Sequence, residues 1–346
     1  MDFRKHLIQK DENVKEALSK LNMLALDAIL FVVDNEGHLI GSLTDGDIRR
    51  GFIKGLTFES VITDFIQPNP IFIYKVNYSL EDIEAYNRRN IKIIPIVDEN
   101  RRVVDILNLR IKASLLPLDA VIMAGGRGER LMPLTKDCPK PLLQVGDKPI
   151  IEHNIDRLLN YGIKKITISI RYLGKQIREY FDSANKDALI EFVEETEPLG
   201  TFGSIGLIKE FTSEHVLLMN SDLLTNIDFA DFYKSYIESG ADFMVASIPY
   251  RVKIPYAVLE IEDGNVISFN EKPTYSYYSN GGIYLFKRAM LDYLEKDVFF
   301  DATDFMELLI QKQRRIAHYA ILGYWLDIGK HEDFEKAQRD VKHIKF

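Results

Sequence analysis

The sequence lacks the features of a secreted or membrane-embedded protein. Its one cysteine, Cys138, has no second thiol in the chain with which to form a disulfide. No segment reaches the roughly 18 consecutive apolar residues that a membrane-spanning helix needs. Residues 1–18 contain neither the apolar core nor the small-residue cleavage site of a secretory signal. These absences predict a cytoplasmic protein, because a reducing compartment keeps a single thiol free.

An excess of basic residues is also absent. The chain has 44 Lys and Arg against 52 Asp and Glu, which gives a formal net charge of -8. Proteins that bind nucleic acids or anionic membranes are usually basic. We therefore expect neither nucleic acid nor membrane as a partner. A local basic pocket for phosphate groups is compatible with this charge.

The chain changes its pattern near residue 117. Before that point, an apolar run at 29–34 is followed by a polar turn and a second apolar run, and the same order recurs from residue 93. We expect these two repeated units to pack on each other. A short segment that carries Pro117 then separates two predicted domains, 1–116 and 117–346.

The second domain alternates strands and helices. Buried strands are predicted at 119–124, 165–170, 215–220 and 242–248, with amphipathic helical segments between them. Such alternation is typical of a largely parallel sheet that is covered on both faces. The expected fold class is α/β with a Rossmann-like, mostly parallel sheet, preceded by a smaller α+β domain.

A glycine-rich segment follows the first of these strands. Gly125, Gly126 and Gly128 leave main-chain N–H groups free to approach an anion or a nucleobase edge. Arg130 and Lys140 add positive charge nearby. By itself such a segment is more often a structural turn with solvated charges. The third glycine of a dinucleotide fingerprint and the Gly-Lys-Ser/Thr of a P-loop are both missing.

Two aspartates lie just after apolar segments. Asp222 follows the strand at 215–220, and ligands of open α/β sheets bind beyond such strand ends. Its carboxylate is a suitable oxygen ligand for Mg²⁺, although an isolated Ser-Asp pair is more often a turn or a helix cap. Asp327 lies in the segment Trp325 to Gly329. Considered alone, this segment is more often a core residue followed by a turn than a metal site. Two aspartates on separate segments could hold one ion between them.

The second domain contains three further short motifs: Glu271-Lys272-Pro273, Asn280-Gly281-Gly282, and Glu197 to Thr201. The first is an ordinary polar loop when considered alone, and the second an ordinary hairpin turn.

Taken in order, the motifs resemble those of the sugar-phosphate nucleotidyltransferase family over about residues 119–345. The resemblance implies a GT-A-like fold. It also implies that Arg130 and Lys140 bind triphosphate, that Asp222 and Asp327 hold the metal, and that Lys272 binds the sugar phosphate. The implied nucleotide-binding residues are Ala124, Gly125, Gly126, Gly128, Gly200 and Thr201. The implied sugar-binding residues are Glu271, Asn280 and Gly282.

This chain departs from the family pattern at two positions. Glu129 stands where Thr is usual, and we expect its carboxylate to point outward or to pair with a basic neighbour. Phe202 stands where Ala is usual, which predicts a reshaped base pocket.

The reaction implied by the resemblance needs no general base, because the sugar-phosphate oxygen is already anionic. It would attack the α-phosphorus of a nucleoside triphosphate in line with departing pyrophosphate. The protein must supply positioning and charge neutralisation. Mg²⁺ held by Asp222 and Asp327 is the expected cofactor.

The first domain resembles a tandem CBS pair. Thr44 and Asp47 fit a pattern in which a hydroxyl meets phosphate and a carboxylate meets the ribose of an adenosine nucleotide. They could equally cap the following helix. Asp105 and Asn108 break the pattern in the second copy, so at most one such site per pair is expected. The pair is predicted to regulate or to dimerise the protein, which we expect to be a homo-oligomer.

The combination of a CBS pair and a transferase resembles the glucosamine-1-phosphate guanylyltransferases of legionaminic acid synthesis and, more loosely, mannose-1-phosphate guanylyltransferases. This resemblance favours GTP and a hexosamine or hexose 1-phosphate, with UTP, CTP and dTTP left open. A different class of function is a nucleotide sensor that has lost catalysis. Retention of Arg130, Lys140, Asp222, Lys272 and Asp327 argues against a sensor.

Overall fold

The computed structural model describes residues 2–76, 78–183, 188–295 and 298–344. The contacts among these residues divide the chain between Leu115 and Leu116 into two compact units, and each has its own hydrophobic core.

The first unit is an internal repeat. Strands β1 and β2 are parallel and β2 and β3 antiparallel; β4, β5 and β6 repeat this arrangement. Both copies have an irregularity near the end of the middle strand, at Val32/Val33 and at Ile96/Val97. The elements are β1 (Leu7–Gln9), α1 (Val14–Leu24), β2 (Leu30–Val33), β3 (Leu39–Leu43), α2 (Asp45–Ile53), β4 (Ile73–Tyr74), α3 (Leu80–Arg88), β5 (Ile93–Val97) and β6 (Val103–Asn108).

The two copies pack on each other, as the sequence predicted. One buried cluster combines Phe31 and Val33 of the first copy with Ile93 and Val97 of the second. The Leu39 N–H also donates a 2.9 Å hydrogen bond to a carbonyl of the second copy. Each copy alone would leave an apolar sheet face exposed, so pairing the copies buries both faces.

The second unit is built on a seven-stranded sheet of order β11-β10-β7-β12-β17-β14-β18. Strands β11, β10, β7 and β12 are parallel, as are β14 and β18, and only β17 runs against its neighbours. The mostly parallel sheet is therefore confirmed. The strands are β7 (Leu118–Ala124), β10 (Lys165–Ile170), β11 (Leu189–Glu194), β12 (His215–Asn220), β14 (Phe243–Lys253), β17 (Thr274–Lys287) and β18 (Ile316–Ala320).

Helices and short two-stranded ribbons complete this unit. The helices are α4 (Ile150–Asn160), α5 (Gly174–Ser183), α6 (Gly200–Gly203), α7 (Phe229–Ser239), α8 (Ala302–Gln311) and α9 (His331–Asp340). The ribbons are β8 (Gln144–Val145) with β9 (Lys148–Pro149), β13 (Leu223–Thr225) with β19 (Trp325–Asp327), and β15 (Val258–Glu262) with β16 (Asn265–Asn270). None of the helices in the described residues has the length and apolar character needed to cross a membrane.

Two buried clusters position the loops at the carboxyl ends of the parallel strands. One packs Phe202, Phe243, Phe286 and Phe305 on one face of the sheet. The other joins Leu131, beyond the glycine loop, to Leu224 and Leu326 of the β13–β19 ribbon. The glycine loop, the end of β12 and the C-terminal strand are thereby held at one edge of the sheet.

Candidate active site

The glycine loop leaves β7 at Ala124 and closely approaches two other segments. A Cβ on Gly125 would lie 2.6 Å from Oε1 of Glu195. Gly128 has a φ of 63°, and a Cβ there would lie 3.1 Å from Cβ of Lys140. Both positions need glycine, because any side chain would push the loop away from the groups it faces.

This loop forms one wall of a cavity of about 560 Å³. Most of the predicted nucleotide-binding residues line this cavity. The loops that follow β7, β11 and β12 also contribute to its walls. The lining residues are Met123, Gly125, Gly126, Arg127, Gly128, Glu129, Arg130, Lys140, Pro141, Arg171, Glu195, Pro198, Gly200, Thr201, Asn220, Ser221, Asp222, Phe299, Asp301 and Gly329. A volume of this size is typical of small-molecule sites.

The β13–β19 ribbon brings Asp222 and Asp327 together. Leu223 is the register partner of Asp327, and the Ile328 N–H donates a 3.1 Å hydrogen bond to the Asp222 carbonyl. Burial, followed by the negative charge of Asp222, raises the pKa of Asp327. Nearby positive charges of Lys140 and Arg130 act in the opposite direction.

The aspartate pair has the properties of a cation site. Oδ1 of Asp222 and Oδ1 of Asp327 are both buried and lack a hydrogen-bond partner in the described residues. Unpartnered buried carboxylate oxygens are costly unless a ligand satisfies them, and Mg²⁺ prefers such oxygens. No group of three or more His, Cys, Asp or Glu in the described ranges could enclose a metal. The pair therefore fits a divalent cation that takes its other ligands from phosphate oxygens and water.

Lys140 supplies a cation beside this pair. It begins a 3-10 turn, Lys140–Leu142, and the prolines on either side of it, Pro139 and Pro141, restrict the backbone. The side chain is only 11% exposed, and its Nζ donates a hydrogen bond to Oδ2 of Asp222. The ion pair places a largely desolvated positive charge in the wall of the cavity, where electrostatic interactions are stronger than in water.

Arg130 and Glu129 lie at the more exposed side of the cavity. A Cβ on Gly329, two residues after Asp327, would lie 3.3 Å from Nη2 of Arg130, so the C-terminal strand and the glycine loop are in contact. The expectation for Glu129 is met. Its carboxylate is 73% exposed and lies 4.0 Å from Nη1 of Arg127.

The segment from Pro198 to Thr201 closes the opposite wall. Gly200 has a φ of 75°, and a Cβ there would lie 2.5 Å from the Phe300 carbonyl. The Thr201 N–H donates a 2.9 Å hydrogen bond to Oδ1 of Asp301, which also lines the cavity. These contacts join the turn to the loop before α8.

The prediction that Phe202 reshapes the base pocket was wrong. Phe202 is completely buried and stacks on Phe305 with ring centroids 4.0 Å apart. It is not part of the cavity wall. The helix α6 turns this side chain into the core, and the backbone of Gly200 and Thr201 faces the cavity instead.

Of the predicted sugar-binding residues, Asn280 and Gly282 lie near the cavity. Gly282 has a φ of 70°, and a Cβ there would lie 2.7 Å from Nδ2 of Asn220, a lining residue. The Asn280 side chain accepts from the Gly282 N–H at 2.9 Å and donates to the Tyr284 hydroxyl at 2.8 Å. The Trp325 indole N–H donates a 2.9 Å hydrogen bond to the carbonyl of Gly281, which lies between these two residues.

Glu271 and Lys272 are placed differently. Both side chains are 63% exposed, and Lys272 Nζ lies 3.8 Å from Oε1 of Glu271. Neither residue lines the cavity. The roles predicted for them, contact with the sugar hydroxyls for Glu271 and with the sugar phosphate for Lys272, stay predictions.

Several lining residues were not predicted from the sequence, namely Arg171, Glu195, Asn220, Phe299 and Asp301. Glu195 is 7% exposed and accepts hydrogen bonds from the Ser169 hydroxyl at 2.6 Å and the Leu199 N–H at 3.1 Å. Its position just after a strand, three residues before Pro198, was the available signal. The same signal, a polar residue at a strand end, exists for Asn220 and Arg171.

In the first unit, Thr44 and Asp47 form a helix cap. The Asp47 carboxylate accepts from the Thr44 N–H at 2.9 Å, the Thr44 hydroxyl at 2.6 Å, Gln67 Nε2 at 2.8 Å and Arg50 Nη2 at 2.6 Å. This is the capping role that the sequence left open. An adenosine site at these residues stays a prediction, and a ribose would have to compete with these donors.

The fold and the site together define a nucleotidyltransferase. The family model described as Nucleotidyl transferase matches residues 119–343, and the chain belongs to this family. Its relatives act on sugar 1-phosphates by name, so this is a sugar-phosphate nucleotidyltransferase with guanylyltransferase homologues. A model described as CBS domain matches residues 6–54, and the repeated strand topology makes the first unit a CBS pair.

Two relatives illustrate the similarity. The chain is 30% identical over 229 residues to the D-glycero-alpha-D-manno-heptose 1-phosphate guanylyltransferase of Aneurinibacillus thermoaerophilus, which covers 65% of this chain and 99% of that protein. It is 32% identical over 224 residues to the mannose-1-phosphate guanylyltransferase catalytic subunit beta of Drosophila melanogaster, which covers 62% of this chain and 60% of that protein. The chain thus spans about three fifths of the latter relative.

Solved structures show the same fold. HddC from Yersinia pseudotuberculosis, complexed with GMP-PN, matches with a TM-score of 0.51 and 25% identity over 64% of this chain and 99% of that chain. A protein described as a glucose-1-phosphate thymidylyltransferase from Bacillus anthracis matches with a TM-score of 0.54 and 23% identity, over 66% and 97%.

Proposed function

We propose that this chain transfers guanosine monophosphate from GTP to a hexose or hexosamine 1-phosphate, which yields a GDP-sugar and pyrophosphate. The observation that carries the proposal is the pair of buried, unpartnered oxygens of Asp222 and Asp327 beside Lys140, at one edge of a cavity walled by the glycine loop. A nucleotide sensor could also bind Mg²⁺ through such a pair, so turnover is the property that separates an enzyme from a sensor.

Asp222 and Asp327 would hold Mg²⁺, the divalent cation that combines oxygen ligands with phosphate substrates. When bound, the cation supplies charge neutralisation for the phosphate groups. Asp327 ends β19 and Asp222 directly precedes β13, so the pairing of these two strands brings the two residues together before any substrate arrives.

The other groups position and neutralise the triphosphate. The N–H groups of Gly125, Gly126 and Gly128 would approach its oxygens. Lys140 and Arg130 would offset the charge that moves onto departing pyrophosphate. Because the attacking phosphate oxygen is already anionic, the chain needs no general base. Lys272 would hold the attacking phosphate, and Glu271 would hold the sugar hydroxyls, once these two exposed side chains approach the cavity.

The base preference follows from Glu195. A carboxylate only accepts hydrogen bonds, and the guanine edge offers an N1–H and an amino group that only donate. Glu195 lines the cavity beside Gly125. The Ser169 hydroxyl donates to one of its oxygens and the Leu199 N–H to the other, which leaves acceptor capacity on both. The names of the relatives and the nucleotide analogue of the HddC complex also favour guanine.

The sugar would lie against the turn at Asn280–Gly282, next to Asn220. The CBS pair would bind an adenosine nucleotide at one site or serve as an assembly surface.

The proposal is tested with a panel of nucleoside triphosphates and sugar 1-phosphates, with pyrophosphate release as the readout and Mg²⁺ present or chelated. We expect turnover with GTP that requires Mg²⁺. Asp222→Asn should reduce kcat by about 100-fold or more, since it removes a group that acts mainly in the transition state. Asp292→Asn, at an exposed position away from the cavity, is the matched control. A sensor would show no turnover anywhere in the panel.

A further inference from the structure

The cavity contains a carboxylate that has no role in the proposed reaction. The acidic residues of its lining are Glu129, Glu195, Asp222 and Asp301. Under the proposed function Glu195 faces the base and Asp222 holds the cation, while Glu129 points outward. A carboxylate repels the phosphates of both substrates in a partly desolvated cavity. Asp301 therefore fits the part of the site where a substrate carries hydrogen-bond donors and no phosphate.

Hydrogen bonds fix the place of Asp301 in the cavity wall. Its Oδ1 accepts from the Thr201 N–H at 2.9 Å and from the Thr201 hydroxyl at 3.2 Å. The Ala302 N–H donates to the hydroxyl oxygen of Thr201 at 2.9 Å. The Phe300 carbonyl accepts from two N–H groups of α6 at 2.9 and 3.0 Å. The loop before α8 and the start of α6 are thus bonded to each other on both sides of Asp301.

The same carboxylate lies near the turn at 280–282. Tyr284 is 3% exposed, and its hydroxyl accepts a 2.8 Å hydrogen bond from Nδ2 of Asn280. Tyr284 packs in one buried cluster with Ala302, the residue after Asp301. Burial raises the pKa of Tyr284, the hydrogen bond from Asn280 acts in the opposite direction, and the negative charge of Asp301 raises the pKa further. Since electrostatic effects weaken with distance, Asp301 is close enough to this pair to act on it.

Asp301 thus stands between two turns of the second unit. One is the turn at 198–201, and the other is the turn at 280–282, where the proposed function places the sugar. Among the residues that the structure describes, no group of three or more His, Cys, Asp or Glu could hold a metal ion. Asp301 is therefore separate from the pair formed by Asp222 and Asp327, and it belongs to the sugar end of the cavity.

A carboxylate at the sugar end has a defined chemical preference. Ionised carboxylates only accept hydrogen bonds, and the hydroxyl groups of a sugar ring can donate them. Such charge-assisted bonds are roughly twice as strong as neutral ones. A sugar without a hydroxyl at the right position leaves the charge unpaired, which costs more than a missing contact. The wall thus favours sugars that direct a hydroxyl at the carboxylate.

We propose that Asp301 is a specificity-determining residue of the acceptor site, whose carboxylate accepts a hydrogen bond from a ring hydroxyl of the sugar 1-phosphate. The inference rests on the proposed function for the class of acceptor. Asp301 also has a structural role, because it is the N-cap of α8 and its N–H donates a 3.2 Å hydrogen bond to Oδ2 of Asp304. Capping alone and sugar recognition differ in their effect on the kinetics.

Asp301→Asn separates the two roles. Asparagine caps a helix as well as aspartate does and retains an oxygen for Thr201, so thermal melting should show a folded protein. The variant loses the charge and one acceptor. We expect KM for the sugar 1-phosphate to rise by about 10- to 100-fold, with pyrophosphate release as the readout, while KM for GTP stays near the wild-type value.

Asp304→Asn is the matched control. It removes the same charge from the first turn of the same helix, at an exposed position that does not line the cavity. Both KM values should stay near those of the wild type. A rise in the sugar KM that Asp304→Asn shares with Asp301→Asn would point to the cap of α8 and count against sugar recognition.

Deoxy analogues identify the contact itself. The wild type and Asp301→Asn are assayed with the sugar 1-phosphate that the wild type uses best, and with analogues that each lack one ring hydroxyl. For the hydroxyl that Asp301 binds, the analogue should cost the wild type about 10-fold or more in kcat/KM and cost Asp301→Asn much less. A role in capping alone predicts the same loss in both enzymes for every analogue.

The outcomes separate this inference from the proposed function. An active wild type with an unchanged sugar KM in Asp301→Asn, or with no analogue whose loss depends on Asp301, overturns the inference alone. A wild type without turnover on any substrate pair overturns the proposed function. Calorimetric titration of mannose 1-phosphate and glucosamine 1-phosphate into the wild type and Asp301→Asn then decides for Asp301. Weaker binding to the variant supports its contact with the sugar, and equal binding or none to either protein overturns it.

Discussion

The carboxylate of Glu195 is held in place by the Ser169 hydroxyl and the Leu199 N–H, so its orientation toward the cavity is fixed. An acceptor held in one position can distinguish bases by their pattern of donors. Guanine offers two adjacent donors, whereas uracil and thymine offer one N–H between two carbonyls. A site built to accept two hydrogen bonds leaves polar groups unpaired with the wrong base, which is an effective form of discrimination.

Glu195→Gln should therefore lower kcat/KM for GTP by about 10- to 100-fold, with a smaller loss or a gain for UTP and dTTP. Competition between nucleotides, followed by analysis of the sugar nucleotides formed, measures the change. Glu194→Gln, on the neighbouring exposed position of β11, controls for the loss of charge. An unchanged base preference in Glu195→Gln would remove Glu195 from base recognition.

In the first unit, the hydrogen bonds to the buried carboxylate of Asp47 link its ionisation to the stability of that unit. Burial raises the pKa of Asp47, but the hydrogen bonds from Thr44, Gln67 and Arg50 outweigh it and the net pKa is lowered. A lowered pKa means that the ionised form stabilises the folded state above the unfolded pKa of about 3.9, and that this contribution is lost as the pH falls below that value.

Asp47→Asn should thus reduce the free energy of unfolding of the first unit by about 1–3 kcal/mol at pH 7. The difference from the wild type should shrink as the pH falls below about 3.9. Denaturant titrations at several pH values measure it. Asp45→Asn, at the exposed first position of α2, should have a smaller effect. A pH-independent difference would show that the charge of Asp47 has no role.

At the scale of elements, the short helix α6 has residues that line the cavity and a residue that packs in the core. Its first two residues face the cavity, while Phe202 packs in the core with Phe305, Phe243 and Phe286. A change at Phe202 should therefore alter stability and leave recognition of the base intact.

Phe202→Ala should lower the free energy of unfolding of the second unit by about 3–5 kcal/mol, because a fully buried aromatic ring leaves a cavity. The ratio of kcat/KM for GTP to that for UTP should stay at the wild-type value in the molecules that remain folded. Phe202→Leu, which retains most of the volume, should restore much of the stability. A changed ratio in both variants would reinstate Phe202 as part of the base pocket.

The strands and the glycine loop were predictable, because their signals are local. The run 165–170 alternates isoleucine with polar residues, and 215–220 has four apolar residues in succession at its centre; the structure has strands with these bounds. The pairing of Asp222 with Asp327 came from a family resemblance, since no local pattern reports that β13 lies beside β19. Glu195 was missed because its role depends on the close approach of Gly125, which only the folded chain shows.

The β15–β16 ribbon shows another limit. Its local alternation of apolar and polar residues does not tell whether apolar side chains such as Leu259 and Phe269 are covered by the rest of the chain, and the structure has them exposed. Lys272 was assigned to the site from a family resemblance, and only the folded chain shows that its side chain is exposed and does not line the cavity.

At the scale of the whole molecule, each unit has its own core: one is built from residues such as Val32 and Leu43, the other from residues such as Val216 and Phe243. Units with separate cores often unfold in separate steps, and a single free energy does not then describe the chain.

Calorimetry of the full chain should therefore show two transitions. Asp47→Asn should shift one of them and Phe202→Ala the other, which assigns each transition to a unit. GTP with Mg²⁺ should raise the transition that responds to Phe202→Ala, because a ligand stabilises the unit that binds it. One transition that both substitutions shift equally would show that the units unfold together.

The ribbon formed by β13 and β19 combines segments that the ribosome makes far apart in time. Asp222 leaves the exit tunnel with most of the sheet, whereas Asp327 is translated after β18 and cannot pair with β13 before then. A nascent chain that already has its glycine loop thus lacks the second carboxylate. Under the proposed function, cation binding and turnover would begin only when residues 325–327 have emerged, and a premature stop codon before them would release a nearly complete sheet without activity.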